Sequence, residues 1–475
     1  MPMSIPTERR IVSRLVSTAD RIYSRLVARD EDSERDLPGA VRRGLPRNGL
    51  RLLAANALQS SGDQTVNAST VLPWLFHVLG VPAALVGLLV PIRESGSMLP
   101  QAFLTPLVVR VRRRKWVFVA GAAVQAVSVA AMAVIAALGG GTAAGVGILA
   151  ALVVFSLGRC LCSIASKDVQ GRTIPSGERG QIIGLATSAA GLVAITLGLT
   201  IRLLGGGDLD RSALALLLAA GAVLWALSAS MYARVVEPAG ERRDAPSGAS
   251  STSWFAEAAR LFRDDAVFRR FVTVRGLLLV SSLSPPFIVS MSVASGTGAL
   301  TGLGGFILAS GVASLIGGRI FGRMADRSSR LLMAGAATAA SVVAAALVLV
   351  VVIRGVDGGS VLGATVFVGS YFLLTLLHSG VRVGRKTYVV DVAEGDVRTT
   401  YVAVGNTAMG VILLVVGAIS SALAVLGVHW ALAFLAVLGV IGAASAVSMP
   451  EVSHGAARTV APSSPQRSGS TPPTS

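Results

Sequence analysis

Of the 25 acidic residues in this chain, 23 fall in polar stretches, while Asp63 and Glu94 lie deep inside long apolar runs. Arg93, next to Glu94, is the one clear arginine buried in the same way. A carboxylate at the centre of a bilayer costs roughly 2.5 to 3.5 kcal/mol on insertion scales unless it is paired or hydrated. Desolvation raises its proton affinity and a nearby guanidinium lowers it, so a change of surroundings can load or release a proton. Sequence neighbours stand about 100° apart on a helix, so Arg93 and Glu94 do not pair face to face, and Asp63 is the expected partner of Arg93. Asp63 or Glu94 is therefore expected to bind a coupled proton, the alternative being a fixed Asp63–Arg93 pair that only holds helices together.

Around Asp63, the residues Asn56, Gln59, Ser60, Gln64 and Asn67 recur at three- and four-residue spacing and give one helix a polar stripe wide enough to line a solute route. Gln59, Gln64 and Asn67, with Arg159 and His378 from other apolar stretches, are the expected central binding residues, although His378 can equally be a packed histidine. Cys160 and Cys162 lack a second ligand pair for zinc and read as small packing residues. No cofactor or metal site is expected, nor enzymatic activity, because the apolar stretches hold no histidine cluster and no nucleophile paired with a base. A phosphate-binding G-x-x-x-x-G-K-[ST] loop is absent as well.

The elements that must position these residues follow from composition. The 475 residues are 53% hydrophobic and 14% charged, against roughly 25% charged in an average soluble protein. Twelve apolar stretches long enough to span a bilayer run at 52–78, 82–109, 116–138, 143–165, 180–203, 212–233, 271–293, 299–322, 331–353, 360–381, 399–425 and 428–449. The net charge of +17 is compatible with nucleic-acid binding until the charges are placed. Of 42 Lys and Arg, 38 fall in the two ends and the even-numbered loops, which makes that side cytoplasmic, termini included. No nucleic-acid partner is expected, and no cleavable signal peptide is visible.

A polar connector at 236–270 separates two halves, 51–235 and 271–450, of six spans each. A shift of 219 residues superposes Lys167 on Lys386, Arg179 on Arg398, Gly191 on Gly410, Gly198 on Gly417 and Arg159 on His378. The third, sixth, ninth and twelfth spans are nearly featureless, with Gln125 the main exception, and can face lipid all round. Pro285 and Pro286 should kink the seventh span, Arg275 should snorkel to the cytoplasmic interface, and Gly318 and Gly322 should allow close helix approach in the eighth. Residues 1–50 should carry a basic amphipathic helix at 8–29 that lies on anionic lipid, with a second such helix at Trp254–Phe271, and the Ser/Pro/Thr-rich tail 451–475 reads as disordered.

With twelve spans, two halves and a polar interior, the chain resembles major facilitator superfamily transporters over about residues 50–450. The motif from Gly322 through Arg323, Asp326, Arg327 and Arg330 is similar to that family's G-x-x-x-D-R-x-x-R loop. The resemblance implies a gating role for Asp326 at a helix end and for Arg323, Arg327 and Arg330 in a cytoplasmic charge relay, with Lys167, Arg179, Lys386 and Arg398 as further candidates. The first-half counterpart, Pro106–Lys115, has Arg112 where the Asp would stand. Leu157–Ser163 resembles the R-x-x-Q-G motif of proton-coupled members only at Arg159, and the drug-antiporter signature is missing from the fifth span.

The resulting expectation is an all-α membrane protein with twelve transmembrane helices in two six-helix pseudo-repeats. It would act as a secondary transporter of a small solute, driven by protons or another ion gradient, working as a monomer in the plasma membrane with lipids as its other partners. An uncoupled facilitator or a non-transporting sensor or scaffold of the same fold are the alternatives.

Overall fold

The structure is a computed structural model that describes residues 18–29, 34–35, 38–204, 209–239, 259–296, 302–392 and 395–450. Among these residues all regular structure is helical. The first apolar stretch is divided into α1 (Gly39–Thr65) and α2 (Val71–Val78), and the second into α3 (Ala83–Val86), α4 (Leu89–Met98) and α5 (Gln101–Val109). Four long helices follow: α6 (Lys115–Leu138), α7 (Gly141–Thr173), α8 (Ser176–Leu204) and α9 (Arg211–Ala233). After the connector come α10 (Ala266–Leu277), α11 (Val280–Ala294), α12 (Leu303–Arg327), α13 (Ser329–Arg354), α14 (Val361–Val392), α15 (Gly395–Leu426) and α16 (Val428–Val447).

The breaks have local causes. Asn67 ends α1 by accepting the Ser69 amide on its Oδ1 at 2.8 Å, an Asx turn that competes with the next helical hydrogen bond. Pro82 and Pro100 stand at the N-caps of α3 and α5, where a missing amide hydrogen does no harm. In the seventh stretch the helix is interrupted at Leu278 and Leu279, well before Pro285 and Pro286, which are accommodated inside α11. Nine helical segments among the described residues, with α10 and α11 taken together as one, are long and apolar enough to cross a membrane. The first and second stretches fall outside that count because they are polar-striped or broken, and in the eighth the described apolar segment covers Leu303–Gly317.

Within the first half, α6 packs on α7 and α9, α1 on α8 and α9, and α4 on α7. In the second, α13 packs on α14 and α16, α10 on α15 and α16, and α12 on α14. Among the described residues the halves meet mainly where α8 packs on α12, α15 on α3 and α4, and α11 on α2. Glycines bring two of these joints close. A Cβ on Gly198 would meet the Leu308 amide nitrogen at 2.8 Å and the Gly304 carbonyl at 2.9 Å, and one on Gly191 would meet Leu315 at 2.9 Å. At the other joint, a Cβ on Gly417 would collide with Pro91 and one on Gly410 would meet Leu99 at 2.6 Å.

Two expectations are corrected here. The third, sixth, ninth and twelfth spans (α6, α9, α13 and α16) do not face lipid all round: each buries one stripe, such as Phe118, Ala122, Gln125 and Met132 of α6. Their small residues permit it, since a Cβ on Gly121 or Gly158 would stand 2.6 Å from the other's carbonyl oxygen. Arg275 does not snorkel, for it is 8% exposed and donates from Nη2 to Asn406 Oδ1 at 3.1 Å, held where α10 packs on α15.

The expected basic helix at 8–29 is described from residue 18, and it is helical over 18–26. Its Tyr23 and Val27 are buried while Ile22 and Leu26 face outward. Tyr23 lies against Gly49 of α1 and donates its hydroxyl to Glu178 of α8. Gln181 exchanges two hydrogen bonds with the Ala28 backbone, at 2.8 and 3.0 Å. Arg29 forks onto Glu34 with two bonds of 2.7 Å, which hold the Glu34 carboxyl below its usual range. Residues 254–258 of the second expected interfacial helix and the tail from 451 lie outside the described residues, and Asp265 caps α10 by accepting the Phe268 amide at 2.8 Å.

Burial and the bond to Glu178 push the Tyr23 phenol up, so its contribution is complete below the unfolded value near 10 and is lost as pH rises beyond it. Tyr23→Phe should lower stability by about 1–3 kcal/mol at neutral pH and flatten the fall of Tm above pH 10, both read from thermal unfolding of the purified protein. Gly198→Ala should cost about 1–3 kcal/mol through overpacking against backbone. Gly184→Ala, with nothing within 4 Å of its added Cβ, should leave Tm unchanged in the same assay.

Candidate functional site

The polar stripe of α1 delivers Asp63 to a position where two other helices contribute cations. Arg93 of α4 donates from Nη2 to Asp63 Oδ1 at 2.9 Å, and Arg159 of α7 donates from Nη1 to both oxygens, at 2.8 and 2.7 Å. These are charge-assisted bonds between side chains that retain 11%, 29% and 18% of their exposure for Arg93, Arg159 and Asp63. Arg93 thus finds the partner that helix geometry predicts, whereas the second bond, from Arg159, has no signal in sequence spacing. The arrangement ties α1, α4 and α7 at one point.

Beside this cluster lies a cavity of about 300 Å³. Gln64 and Asn67, at the interruption between α1 and α2, line it together with Arg93, Glu94, Arg159 and His378. Gln59 is not among the lining residues, although it lies on the same stripe. From the opposite wall, His378 of α14 places its Nδ1 3.3 Å from the Ser281 hydroxyl of α11. Pro285 and Pro286 lack amide hydrogens, which frees the carbonyls of Ser281 and Ser282, four residues earlier, and Ser281, Ser282 and Pro285 all line the cavity.

The sequence reading missed Arg382 and Arg385, which also line the cavity. The apolar stretch ends at 381, yet α14 continues to Val392 and carries these arginines on the face of His378, four and seven residues on. The signal was a histidine followed by arginines at helical spacing. Tyr371 and Thr375 extend the same wall in the other direction.

Of the gating candidates, the side chains of Gly322, Arg323, Asp326, Arg179, Lys386 and Arg398 lie outside the described residues. Arg327 and Lys167 are exposed, and Arg330 donates to the carbonyls of Val447 and Met449 at 3.2 and 2.8 Å, joining the start of α13 to the end of α16. In the first half, Arg112 is exposed, while Asp168 of α7 pairs with Arg172 at 2.7 Å and with Arg114. Glu237 accepts the Arg114 and Lys115 amides at 3.1 and 2.9 Å at the start of α6. Cys160 and Cys162 are buried free thiols. Among the described residues no three His, Cys, Asp or Glu side chains converge as a metal site.

Comparison with known proteins places this geometry in context. The sequence model of the Major Facilitator Superfamily matches residues 52–372. No curated protein sequence matches the chain significantly. Among solved structures, a D-xylose–proton symporter is 12% identical with a TM-score of 0.65, over 86% of this chain and 98% of that one. A POT family transporter in complex with a thioalcohol-conjugated peptide is 12% identical with a TM-score of 0.64, over 87% and 98%. The nucleoside transporter NupG is 14% identical with a TM-score of 0.59, over 85% and 98%. At such identities the likeness is one of fold. With more than half of its length matched by the family and, among the described residues, nine helical segments able to cross a bilayer, the chain belongs to the Major Facilitator Superfamily and is an integral membrane protein.

Proposed function

We propose that the protein is a proton-coupled secondary transporter of a small solute, working by alternating access in the plasma membrane with both termini cytoplasmic. The orientation rests on the crowding of Lys and Arg into the ends and even-numbered loops. Counting α1–α2, α3–α5 and α10–α11 each as one interrupted span makes twelve, in halves at 51–235 and 271–450 joined by 236–270 and flanked by cytoplasmic segments 1–50 and 451–475. The glycines related by the 219-residue shift support the pseudo-repeat: Gly191 and Gly198 serve one inter-half joint as Gly410 and Gly417 serve the other. The structural neighbours are described as sugar, nucleoside and peptide transporters, which supports solute movement as the activity of this fold.

The observation that carries coupling is Asp63 between Arg93 and Arg159 at the edge of the cavity. The two guanidiniums occupy both carboxylate oxygens, so a proton reaches them only in a conformation that draws an arginine away. Glu94, which lines the cavity, is the second carrier in this reading. Gln64, Asn67, Arg159 and His378 contact the solute, with Gln59 on the approach. The loop from Gly322 to Arg330, with Lys167, Arg179, Lys386 and Arg398, governs the cytoplasmic gate. Lipids and the solute are the partners, no cofactor takes part, and a monomer suffices.

Liposomes containing the purified protein and offered a mixed pool of sugars, nucleosides, amino acids and carboxylates, with and without a pH gradient, test this by mass spectrometry of the lumen. One coupled proton and one pH unit supply about 1.4 kcal/mol, so a tenfold accumulation is expected. Asp63→Asn should abolish that accumulation and leave solute exchange intact, with Glu94→Gln as the parallel variant. Pool compounds that equilibrate without responding to pH would make the protein a facilitator, and no movement of any compound would favour a sensor or scaffold.

A further inference from the structure

The cavity holds more positive charge than its own carboxylates can neutralise. Four guanidiniums border it, from Arg93, Arg159, Arg382 and Arg385, against Glu94 and the adjoining Asp63. With both acids ionised, two positive charges remain. Asp63 does not cancel its neighbours, because one carboxylate serves two arginines and engages only one terminal nitrogen of each. An arginine offers five N–H donors, and Arg93 Nε is buried without a partner in a residue that keeps 9% of its exposure. On the facing wall, Arg382 and Arg385 have no carboxylate within ion-pair distance among the described residues. A buried cation without an anion beside it calls for a counter-charge: Arg93 is buried and Arg385 half-buried, while Arg382 is exposed.

Resting on the transporter reading, we propose that the solute is a small organic anion whose carboxylate or phosphate oxygens bridge Arg385 of one half and the Arg93–Arg159 pair of the other. Planar guanidinium groups suit such oxyanions, which they can grip through two parallel hydrogen bonds. The rest of the wall mixes apolar side chains such as Val90, Met98 and Leu413 with polar ones such as Gln64, Asn67 and Thr375, so the anion carries a body with both apolar and hydrogen-bonding groups. A volume near 300 Å³ sits at the lower end of small-molecule sites and limits its size. A neutral or cationic solute would leave the excess charge unanswered.

The test uses the full-length purified protein with benzoate, succinate and glucose 6-phosphate as anionic probes, xylose and uridine as neutral ones, and tetraphenylphosphonium as a cation. Thermal stabilisation in detergent reports binding, and flux in liposomes reports transport. At least one anion should stabilise the protein saturably and cross the membrane. Arg385→Gln should raise its half-maximal concentration at least about tenfold, whereas Arg385→Lys should recover part of the loss. The carboxylates against the phosphate ester separate the two oxyanion chemistries. Flux of xylose, uridine or tetraphenylphosphonium with neither flux nor stabilisation by any anion overturns the anion proposal and leaves the transporter reading standing. Stabilisation by an anion that Arg385→Gln abolishes, with no flux of any probe, supports the site and counts against transport. Absence of both stabilisation and flux for every anion overturns the proposal.

Discussion

One carboxylate decides where three helices meet. Asp63 is bonded to Arg93 and Arg159 together, so α1, α4 and α7 share a contact that no two of them could make alone. Neither arginine is stable as a lone cation at that depth, and Asp63 without them would be an uncompensated anion. The three charges therefore require one another, and the helices follow. The wall they form does not collapse onto its neighbours, because α1 stops at Thr65 and the chain turns through Asn67 before α2 begins. The space left beside that turn is where the cavity lies.

Two electrostatic patterns of different origin coexist in the chain. The basic loops and ends carry charge in contact with water and lipid headgroups, where it directs orientation and contributes little to packing. Among the cavity arginines, Arg93 is buried and Arg159 partly so, and both find a specific partner in Asp63. The net charge of +17 combines the two and so describes neither. Only their placement on helices separates Arg112, exposed in a loop, from Arg159, bonded to Asp63.

The sequence was informative wherever one physical scale dominates. Apolar length located most spanning helices, and the expense of a buried charge singled out Asp63, Glu94 and Arg93 before any contact was known. It was less informative where two local preferences compete. An Asx turn at Asn67 interrupts a stretch whose hydropathy is continuous, and α14 persists through Arg382 and Arg385 after its hydropathy has ended, since charge does not oppose helix formation. The pairing of Arg159 with Asp63 joins residues 96 apart in the chain and is created by packing alone. The glycines matched by the 219-residue shift were visible as identities, but their purpose emerges only from the atoms a Cβ would strike.

Those glycines give the two halves an unusual kind of contact. Where Gly198 meets Gly304 and Leu308, and Gly417 meets Pro91, the surfaces in touch are backbone and short ring atoms rather than interlocked long side chains. Such contacts place few rotamers between the halves, Leu315 against Gly191 and Leu99 against Gly410 being the long side chains involved. Asp63, Arg93 and Arg159 all ride on one body, while His378, Arg382 and Arg385 ride on the other. In the proposed cycle a turn at these joints would change the distance between the two walls of the cavity, so whatever lies between them would be gripped or released as the halves move.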